Sequence, residues 1–196
     1  MRIAHAAFLA AATLPLAACW QTVEPFPVQA GSAPAASAAA TPAFPDAWLG
    51  TWQGDLSSWG GAPMQVRMTL TVAPTATPGR WTWTITYDGT AGRQVRAYEL
   101  VAGDTAAGRW SIDERNGIVI PARWLDGVLY SDFQVEQSRV GVREQVVHAG
   151  TPDECLLVEM ATTKADAGVR SGGGAVSAVT GWTPESVQRG VLRRVK

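Results

Sequence analysis

The chain has few cysteines, few histidines and almost no net charge. Its 196 residues include only two cysteines and two histidines, which is too few for a disulfide-stapled scaffold or for a zinc site built from these residues. Sixteen basic and 17 acidic residues leave a formal net charge of −1, so the chain has no cationic surplus with which to bind a nucleic-acid backbone. These absences predict no metal, no cofactor and no nucleic-acid partner. What remains is a fairly apolar globular protein with 20 glycines and nine tryptophans.

The first 19 residues have the pattern of a secretory leader that ends in a cysteine. One positive charge, on Arg2, precedes an apolar stretch over residues 3–18 that is too short and too rich in alanine for a comfortable membrane-spanning helix. The stretch ends in Leu16-Ala17-Ala18-Cys19, which resembles the lipobox of bacterial lipoproteins. The resemblance implies that residues 1–18 are a signal peptide and that cleavage frees Cys19 for acylation, palmitate being one of the attached chains. Two or more acyl chains hold a protein firmly at a membrane, whereas one chain does so only marginally.

Two details bear on where the leader sends the protein. Ordinary secretion is the alternative interpretation, but it places the bulky Leu16 three residues before the cut, where the general signal peptidase prefers a small side chain. Trp20, rather than an aspartate, follows the cysteine. In enteric bacteria an aspartate at that place resembles an inner-membrane retention signal. The sequence therefore predicts a protein anchored in the bacterial cell envelope, at the outer membrane and facing the periplasm.

Residues 19–45 connect the acylated cysteine to the rest of the chain. The segment is dominated by alanine, proline and serine and carries one charge, on Glu24. Its prolines interrupt any helix that the alanines start, and no periodic apolar pattern accompanies them. It is therefore interpreted as a disordered, lipid-anchored linker. Phe26 and Phe44 are exceptions in this composition; they either contact the membrane or the following domain, or they are incidental.

The remaining residues, 46–196, alternate between apolar and polar side chains in the way that is typical of β-strands. Apolar side chains recur at every second position from Met64 to Val72 and from Trp81 to Tyr87, and Val187 to Val195 has the character of a last strand. No convincing amphipathic helix interrupts them, so the domain is predicted to be all-β with about eight to ten antiparallel strands, in a sandwich or a barrel. A barrel is favoured because closing the sheet removes exposed strand edges.

Turn residues separate these strands. Asn116-Gly117 and Asp126-Gly127 are typical of tight hairpins, since such residues tolerate the positive φ angles of a type I′ turn. The stretch from Lys164 to Pro184 is rich in glycine, alanine and serine and is interpreted as a long loop. The predicted domain therefore consists of short strands joined by tight turns, with one extended loop near its end.

The domain opens with Gly50-Thr51-Trp52, which resembles the Gly-x-Trp opening strand of the calycins, the group that contains the lipocalins and the fatty-acid-binding proteins. The resemblance implies an antiparallel barrel in which Trp52 packs across the closed end. It also implies that a basic residue near the end of the last strand, Arg193 or Arg194, covers that tryptophan. The characteristic lipocalin helix and the usual lipocalin disulfides are not visible in this sequence, so the resemblance extends to a calycin-like barrel and not to the lipocalins themselves.

No arrangement of residues predicts a catalytic site, and the protein is interpreted as non-catalytic. No serine lies in the Gly-x-Ser-x-Gly elbow of the hydrolases. Asp113 and Glu114 are adjacent carboxylates of the kind that serve as acid and base. Neighbours along a strand point to opposite faces, however, so a solvated hairpin end is the simpler interpretation.

His148 and Cys155 are the remaining reactive side chains. His148 is either an axial haem ligand or an exposed turn residue, and the glycine and proline that follow it favour the turn. Cys155 has no partner once Cys19 is acylated. An odd cysteine outside the cytoplasm is reactive or forms an intermolecular bond, but at the start of an apolar strand a buried, inert thiol is the expectation.

The aromatic residues raise the question whether the barrel is hollow or filled. An eight-stranded barrel is just wide enough to be filled by side chains or to hold one small ligand. Glu144 occupies an otherwise apolar alternating position. Because a buried unpaired carboxylate is costly, we expect it to face solvent or to meet Arg96 or Arg143. The candidate pocket lining consists of Trp52, Met68, Trp81, Trp83, Tyr87, Trp110, Phe133 and Glu144.

Two functions follow from these alternatives. In the first, the barrel binds a small apolar or amphipathic ligand between aromatic walls and a few polar groups. In the second, the barrel core is filled and loops such as 164–184 bind an envelope protein, as a non-catalytic interaction or inhibitor module. Both are open at the level of sequence, because a register shift of one residue exchanges the inside and the outside of a strand.

Overall fold

The computed structural model describes residues 43–60, 66–174 and 176–195, and nearly all of the regular structure within them is β-strand. The predicted signal peptide, Cys19, most of the linker and Met64 lie outside the described residues. Two short 3-10 helices span Asp46–Trp48 and Thr105–Ala107. The strands are β1 (Gly50–Trp59), β2 (Val66–Pro74), β3 (Arg80–Gly89), β4 (Gly92–Ala102), β5 (Arg109–Asp113), β6 (Val119–Leu125), β7 (Val128–Val135), β8 (Ser138–Val147), β9 (Cys155–Lys164), β10 (Val169–Gly173), β11 (Val176–Gly181) and β12 (Ser186–Arg194).

Ten of these strands form a closed antiparallel barrel. Around the barrel the order is β1, β12, β9, β8, β7, β6, β5, β4, β3 and β2, with β2 returning to β1. The ring closes through β1, in which Trp52 lies opposite Leu70 of β2 and Arg194 of β12. The prediction of an all-β antiparallel barrel is confirmed, and ten is the upper end of the predicted number. The last strand completes the ring.

The alternation of the sequence decides which face of each strand is inside. In β2 the side chains of Met68, Leu70 and Val72 are buried, whereas the threonines between them are only partly covered. Trp83 of β3 lies opposite Val72 and is equally buried. Successive side chains of a strand point to opposite faces, so one apolar residue in every two suffices to line the interior.

The two predicted hairpin turns differ in conformation. Asp126 and Gly127, the two residues between β6 and β7, have φ angles of 48° and 80°, as a type I′ turn requires. At the other turn the positive φ angles fall on Arg115 and Gly117, so the prediction of a type I′ turn at Asn116-Gly117 was wrong. Asn116 instead accepts a hydrogen bond from the Ile118 N–H at 3.0 Å through its side chain, which stabilises a longer loop.

The stretch predicted as a long loop contains a hairpin, so that prediction was wrong. β10 and β11 pair as a separate two-stranded sheet, and their described residues are exposed. Its turn uses Gly172, Gly173 and Gly174, all with positive φ, which only glycine adopts without cost. Near its base the Trp182 side chain donates a hydrogen bond to the Ala165 carbonyl at 3.2 Å. The glycine-rich composition therefore marks a tight turn between two strands.

Candidate ligand-binding site

One end of the barrel, called here the closed end, is filled by aromatic rings. Trp48, Trp52 and Trp83 are completely or almost completely buried. The rings of Trp48 and Trp83 stack with centroids 5.7 Å apart, and Phe44 stacks on Trp124 at 4.2 Å. Aromatic pairs at these distances stabilise a fold beyond their burial alone. Phe44 therefore belongs to the structured domain, although composition alone assigns it to the linker.

Arg194 closes this end from the last strand. Its guanidinium lies 4.1 Å from the centroid of the Trp52 ring and donates hydrogen bonds to the carbonyl groups of Leu49 and Ala47. It also forms an ion pair with Glu154 at 3.0 Å, and the hydrogen bond from Arg194 holds the pKa of Glu154 below its ordinary value. Of the two arginines proposed to cover Trp52, Arg194 is the one that does so. The closed end is thereby tied to both β1 and β12.

The barrel is packed less tightly beyond the closed end. Leu70 faces inward in the middle of β2 and is fully buried. Ile85, Val142 and Met160 also face inward in mid-strand, yet they are only half-buried. Solvent can reach an inward-facing side chain in the middle of a closed barrel only through the lumen. Ile85 of β3 and Val142 of β8 belong to well-separated strands of the ring, which indicates an accessible space between these walls.

Glu144 lies at the floor of this space. Its neighbours on the adjacent strands are Leu129 and Val158, which are 0% and 8% exposed, and Glu144 itself is 5% exposed. The carboxyl group makes no hydrogen bond or ion pair within the described residues. Burial raises the pKa of Glu144 from its ordinary value of 4.5 to about 8, because the ionised form loses its hydration. At neutral pH the carboxyl group is therefore mostly protonated.

The oxygen atoms of Glu144 are nevertheless not sealed in. In the described part of the chain, every side-chain oxygen or nitrogen that is completely enclosed has a hydrogen-bond partner. Glu144 has none, so its oxygens border a space that a water molecule can reach. Ser131, 9% exposed, is in the same position: it faces inward opposite Val142, and no hydrogen bond of its hydroxyl occurs among the described residues. Two polar groups thus face the lumen without a partner among the residues that the structure describes.

Tyr87 of β3 adds a third polar group from a distant strand. It faces inward opposite Met68. Burial raises the pKa of Tyr87 to about 12, and the negative charge of Glu144 adds to that rise. The phenol and the carboxyl group therefore share one lumen. We call Tyr87, Ser131, Phe133, Val142, Glu144 and Met160 the lumen site.

Neither arginine proposed for Glu144 meets it, and the side chain is 5% exposed, so the expectation that it faces bulk solvent or pairs with an arginine was wrong. Arg96 faces inward opposite Ile85, but it is exposed and its guanidinium donates a hydrogen bond to the Tyr98 hydroxyl at 3.0 Å. Arg143 points outward and pairs with Glu159 at 3.2 Å. Residues adjacent in sequence, such as Arg143 and Glu144, lie on opposite faces of a strand. Arg143 directly precedes Glu144 in the sequence, but its guanidinium therefore lies on the other face of the strand from the Glu144 carboxyl group.

The eight residues proposed as pocket lining all face inward, but they fall into two groups. Four of them belong to the packed core, where they fill space: Trp52, Met68, Trp83 and Trp110. Trp81 is partly buried and packs against that core. Tyr87, Phe133 and Glu144 border the lumen. Sequence reasoning missed Ser131, Val142 and Met160 as lining residues. The alternation places them on the inner face, but a serine between apolar positions gives no signal by itself.

The other reactive side chains lie outside the lumen. His148 is exposed and has a positive φ of 54° in the turn after β8, as expected. Cys155 is a buried free thiol, also as expected. Asp113 lies on the outer face in an ion-pair network, 2.5 Å from Arg80, which also contacts Glu99. Across residues 43–60, 66–174 and 176–195, no three His, Cys, Asp or Glu side chains are close enough together to hold a metal ion.

Comparison with protein-family models, curated proteins and solved structures finds no match for this chain. Neither of the short helices in the described ranges has the length and apolar character needed to cross a membrane. The assignment of a function therefore rests on the barrel and on its lumen.

Proposed function

We propose that the protein is a non-catalytic, lipid-anchored lipoprotein of the bacterial envelope whose barrel binds one small apolar or amphipathic molecule in its lumen. The observation that carries the proposal is the lumen site itself. Glu144 and Ser131 are buried, face inward and have no protein partner in the described residues, while Val142 and Met160 beside them remain half-buried. Ligand sites of small molecules combine apolar walls with a few convergent polar groups in this way.

The width of the barrel supports a hollow lumen. An eight-stranded barrel is just filled by its own side chains, and the diameter grows roughly in proportion to the number of strands. This barrel has ten strands, and its largest side chains are concentrated at the closed end. The calycin resemblance agrees with such an arrangement, since Arg194 lies over Trp52 at that end.

Filling the lumen is expected to abolish ligand binding without unfolding the protein. Val142→Phe adds volume to a half-buried inward position, so we expect the free energy of unfolding to change by less than about 1 kcal/mol. The same enlargement at Val72, which is 1% exposed in the packed core, is expected to cost about 1–3 kcal/mol because it overpacks the core. Urea unfolding followed by circular dichroism measures both values, and fluorescence of the uncharged probe N-phenyl-naphthylamine reports binding.

The matched pair separates a hollow from a filled barrel. A hollow barrel gives a stable Val142→Phe protein that no longer enhances the fluorescence of the probe. Equal destabilisation by Val142→Phe and Val72→Phe would show that the lumen is packed and would contradict the proposal. A wild-type chain that binds neither the probe nor any co-purifying molecule detectable by native mass spectrometry would contradict it as well.

The membrane anchor is proposed from Leu16-Ala17-Ala18-Cys19, which lies outside the described residues. We expect Cys19→Ala to prevent acylation, to leave the signal peptide attached and to abolish incorporation of labelled palmitate in a bacterial host. Cys155→Ala is the matched control, because it removes the other cysteine, a buried one in the barrel. This variant should still be labelled and should still fractionate with outer membranes. Labelling of the Cys19→Ala protein at the wild-type level would overturn the anchor.

A protein-interaction role is the second candidate, and the β10–β11 hairpin favours it. This two-stranded sheet is separate from the barrel, and Val169, Val176 and Val179 on it are 73%, 66% and 59% exposed. Exposed strand edges accept an added strand from a partner. Replacing residues 169–181 by a short glycine–serine linker is expected to remove crosslinks to an envelope protein and to leave probe binding unchanged. Crosslinks that survive the replacement would count against this role for the hairpin.

A further inference from the structure

The polar groups of the lumen differ from those expected for a fatty acid. The buried polar end of the lumen holds a carboxyl group, on Glu144, and a hydroxyl group, on Ser131. Tyr87 adds a phenol from the opposite wall. Arg96 faces inward but is exposed and hydrogen-bonded to Tyr98, and Arg194, at the closed end, is paired with Glu154. A fatty-acid carboxylate placed at the floor would therefore meet another carboxyl group and no counter-ion.

We propose that the lumen site recognises a primary amine, with Glu144 binding the ammonium group and the apolar wall of Phe133, Val142 and Met160 contacting the rest of the ligand. This inference rests on the proposed ligand-binding function and names the class of its ligand. The structural observation behind it is the carboxyl group of Glu144. This side chain is only 5% exposed and faces the lumen without a partner among the described residues.

An ammonium group matches the hydrogen-bonding capacity of the site. It carries three N–H donors, and an ionised carboxylate and two hydroxyl oxygens are acceptors. The aromatic rings of Tyr87 and Phe133 also attract a cation that lies over their faces. An ionised carboxylate in an apolar environment is costly unless an opposite charge pairs with it, and the ligand supplies that charge. An alcohol satisfies hydrogen bonds here but leaves the carboxyl group protonated and gains no charge pairing.

The ionisable groups that face the lumen set the pH dependence of this recognition. They are Glu144, Tyr87 and Tyr98, with Arg96 towards the end that carries the β3–β4 turn and with Glu114 close enough to act on the charge of Arg96. Burial raises the pKa of Tyr87 to about 12. The hydrogen bond to Tyr98 holds the pKa of Arg96 above its already high ordinary value. Neither group therefore changes charge near neutral pH. Glu144, with a pKa of about 8, does.

The test compares three probes with the same apolar tail: octylamine, octanol and octanoate. Isothermal titration calorimetry on the full chain at about pH 8 measures the affinity for each. We expect octylamine to bind at least about tenfold more tightly than octanol, and octanoate to bind most weakly, since charge pairing in a buried site is worth more than a neutral hydrogen bond. Glu144→Gln removes the ionisable group with little change in shape. We expect it to weaken octylamine binding at least about tenfold and to change octanol binding by less than about threefold.

Glu136→Gln is the matched control, because Glu136 is exposed in the β7–β8 turn. Its affinities for all three probes should equal those of the wild type. A second measurement on the unmodified chain needs no variant. Octylamine stays cationic throughout because an alkylammonium group has a pKa near that of lysine, about 10.4. Its affinity should therefore rise about tenfold per pH unit up to about pH 8, as the binding-competent, ionised form of Glu144 becomes populated.

The outcomes separate this inference from the function on which it rests. If none of the octyl probes binds the wild-type chain, ligand binding in the lumen itself is wrong. If octanol or octanoate binds as tightly as octylamine, or if Glu144→Gln keeps the preference for the amine, the lumen binds ligands but the amine assignment is overturned. Octanol binding by Glu144→Gln reports that the variant is folded. Should that variant not fold, octylamine binding that is independent of pH in the wild type overturns the assignment.

Discussion

Replacing Trp52 with alanine is expected to lower the free energy of unfolding by about 3–5 kcal/mol, the range seen when a buried tryptophan is truncated in a packed core. Trp52 is 0% exposed. Its indole N–H donates a hydrogen bond to the Trp48 carbonyl at 2.9 Å, and the Arg194 guanidinium lies over its ring. The substitution removes the ring that packs against all of these groups, and the closed end loses its central side chain.

Two variants show how this effect divides. Trp52→Phe keeps an aromatic ring and loses the indole hydrogen bond, and it is expected to cost about 1–2 kcal/mol from the hydrogen bond and the smaller ring. Trp59→Ala is the matched control on the same strand, because Trp59 is 54% exposed and its loss should cost less than about 1 kcal/mol. Equilibrium urea unfolding monitored by far-ultraviolet circular dichroism measures all three. Equal losses for Trp52→Ala and Trp59→Ala would refute the central packing role of Trp52.

Glu144 is expected to make the protein less stable as the pH rises, which is the reverse of ordinary acid denaturation. Its pKa is about 8 in the folded protein and 4.5 ordinarily. Between these values the folded state binds more protons than the unfolded state, so the free energy of unfolding falls as the pH increases. The loss is absent below about pH 4.5 and complete above about pH 8. One pKa unit corresponds to about 1.4 kcal/mol, so the total loss is at most about 5 kcal/mol.

Glu144→Gln is therefore expected to be close to the wild type in stability near pH 5 and several kcal/mol more stable near pH 9. Glu154 provides a matched variant of opposite sign, because the hydrogen bond from Arg194 lowers its pKa. Glu154→Gln should be less stable than the wild type at neutral pH, and the difference should disappear as acid protonates Glu154. Urea unfolding from about pH 2.5 to pH 9 measures both profiles, since the Glu154 difference is lost only as the pH falls below the ordinary pKa of 4.5. A Glu144→Gln profile parallel to that of the wild type would contradict the burial of an unpaired carboxyl group.

Much of the barrel could be predicted from the sequence, because its strands carry their own period. The apolar positions of β2 and β3 alternate without a break, and Asp126-Gly127 sets a hairpin turn that its two residues alone dictate. Period-two alternation identifies the inner face of a strand without reference to its neighbours. The composition of residues 164–184 was misleading, since Gly172–Gly174 form a turn between two exposed strands instead of an irregular loop.

The lumen could not be predicted in the same way. Val72 and Val142 are both inward-facing valines, yet one lies in the packed core and the other borders the lumen. The difference depends on how many strands form the ring and on which large side chains face each other across it. The expectation that Glu144 pairs with Arg96 or Arg143 was wrong for a related reason. Arg143 is adjacent in sequence but lies on the outer face with Glu159, and whether Arg96 reaches Glu144 depends on distances across the ring.

The pairing of β1 with β12 determines when the barrel can close during folding. The hydrogen bond between Arg194 and Leu49 joins residues 145 positions apart, so the ring cannot close before translation has reached its final strand. Until then β1 and β9 each keep a bare edge that is able to recruit a strand from another chain. Contacts of such long range also slow folding. During that interval the two open edges are the places where strand exchange between chains is expected, and the pairing of β12 with both strands removes them.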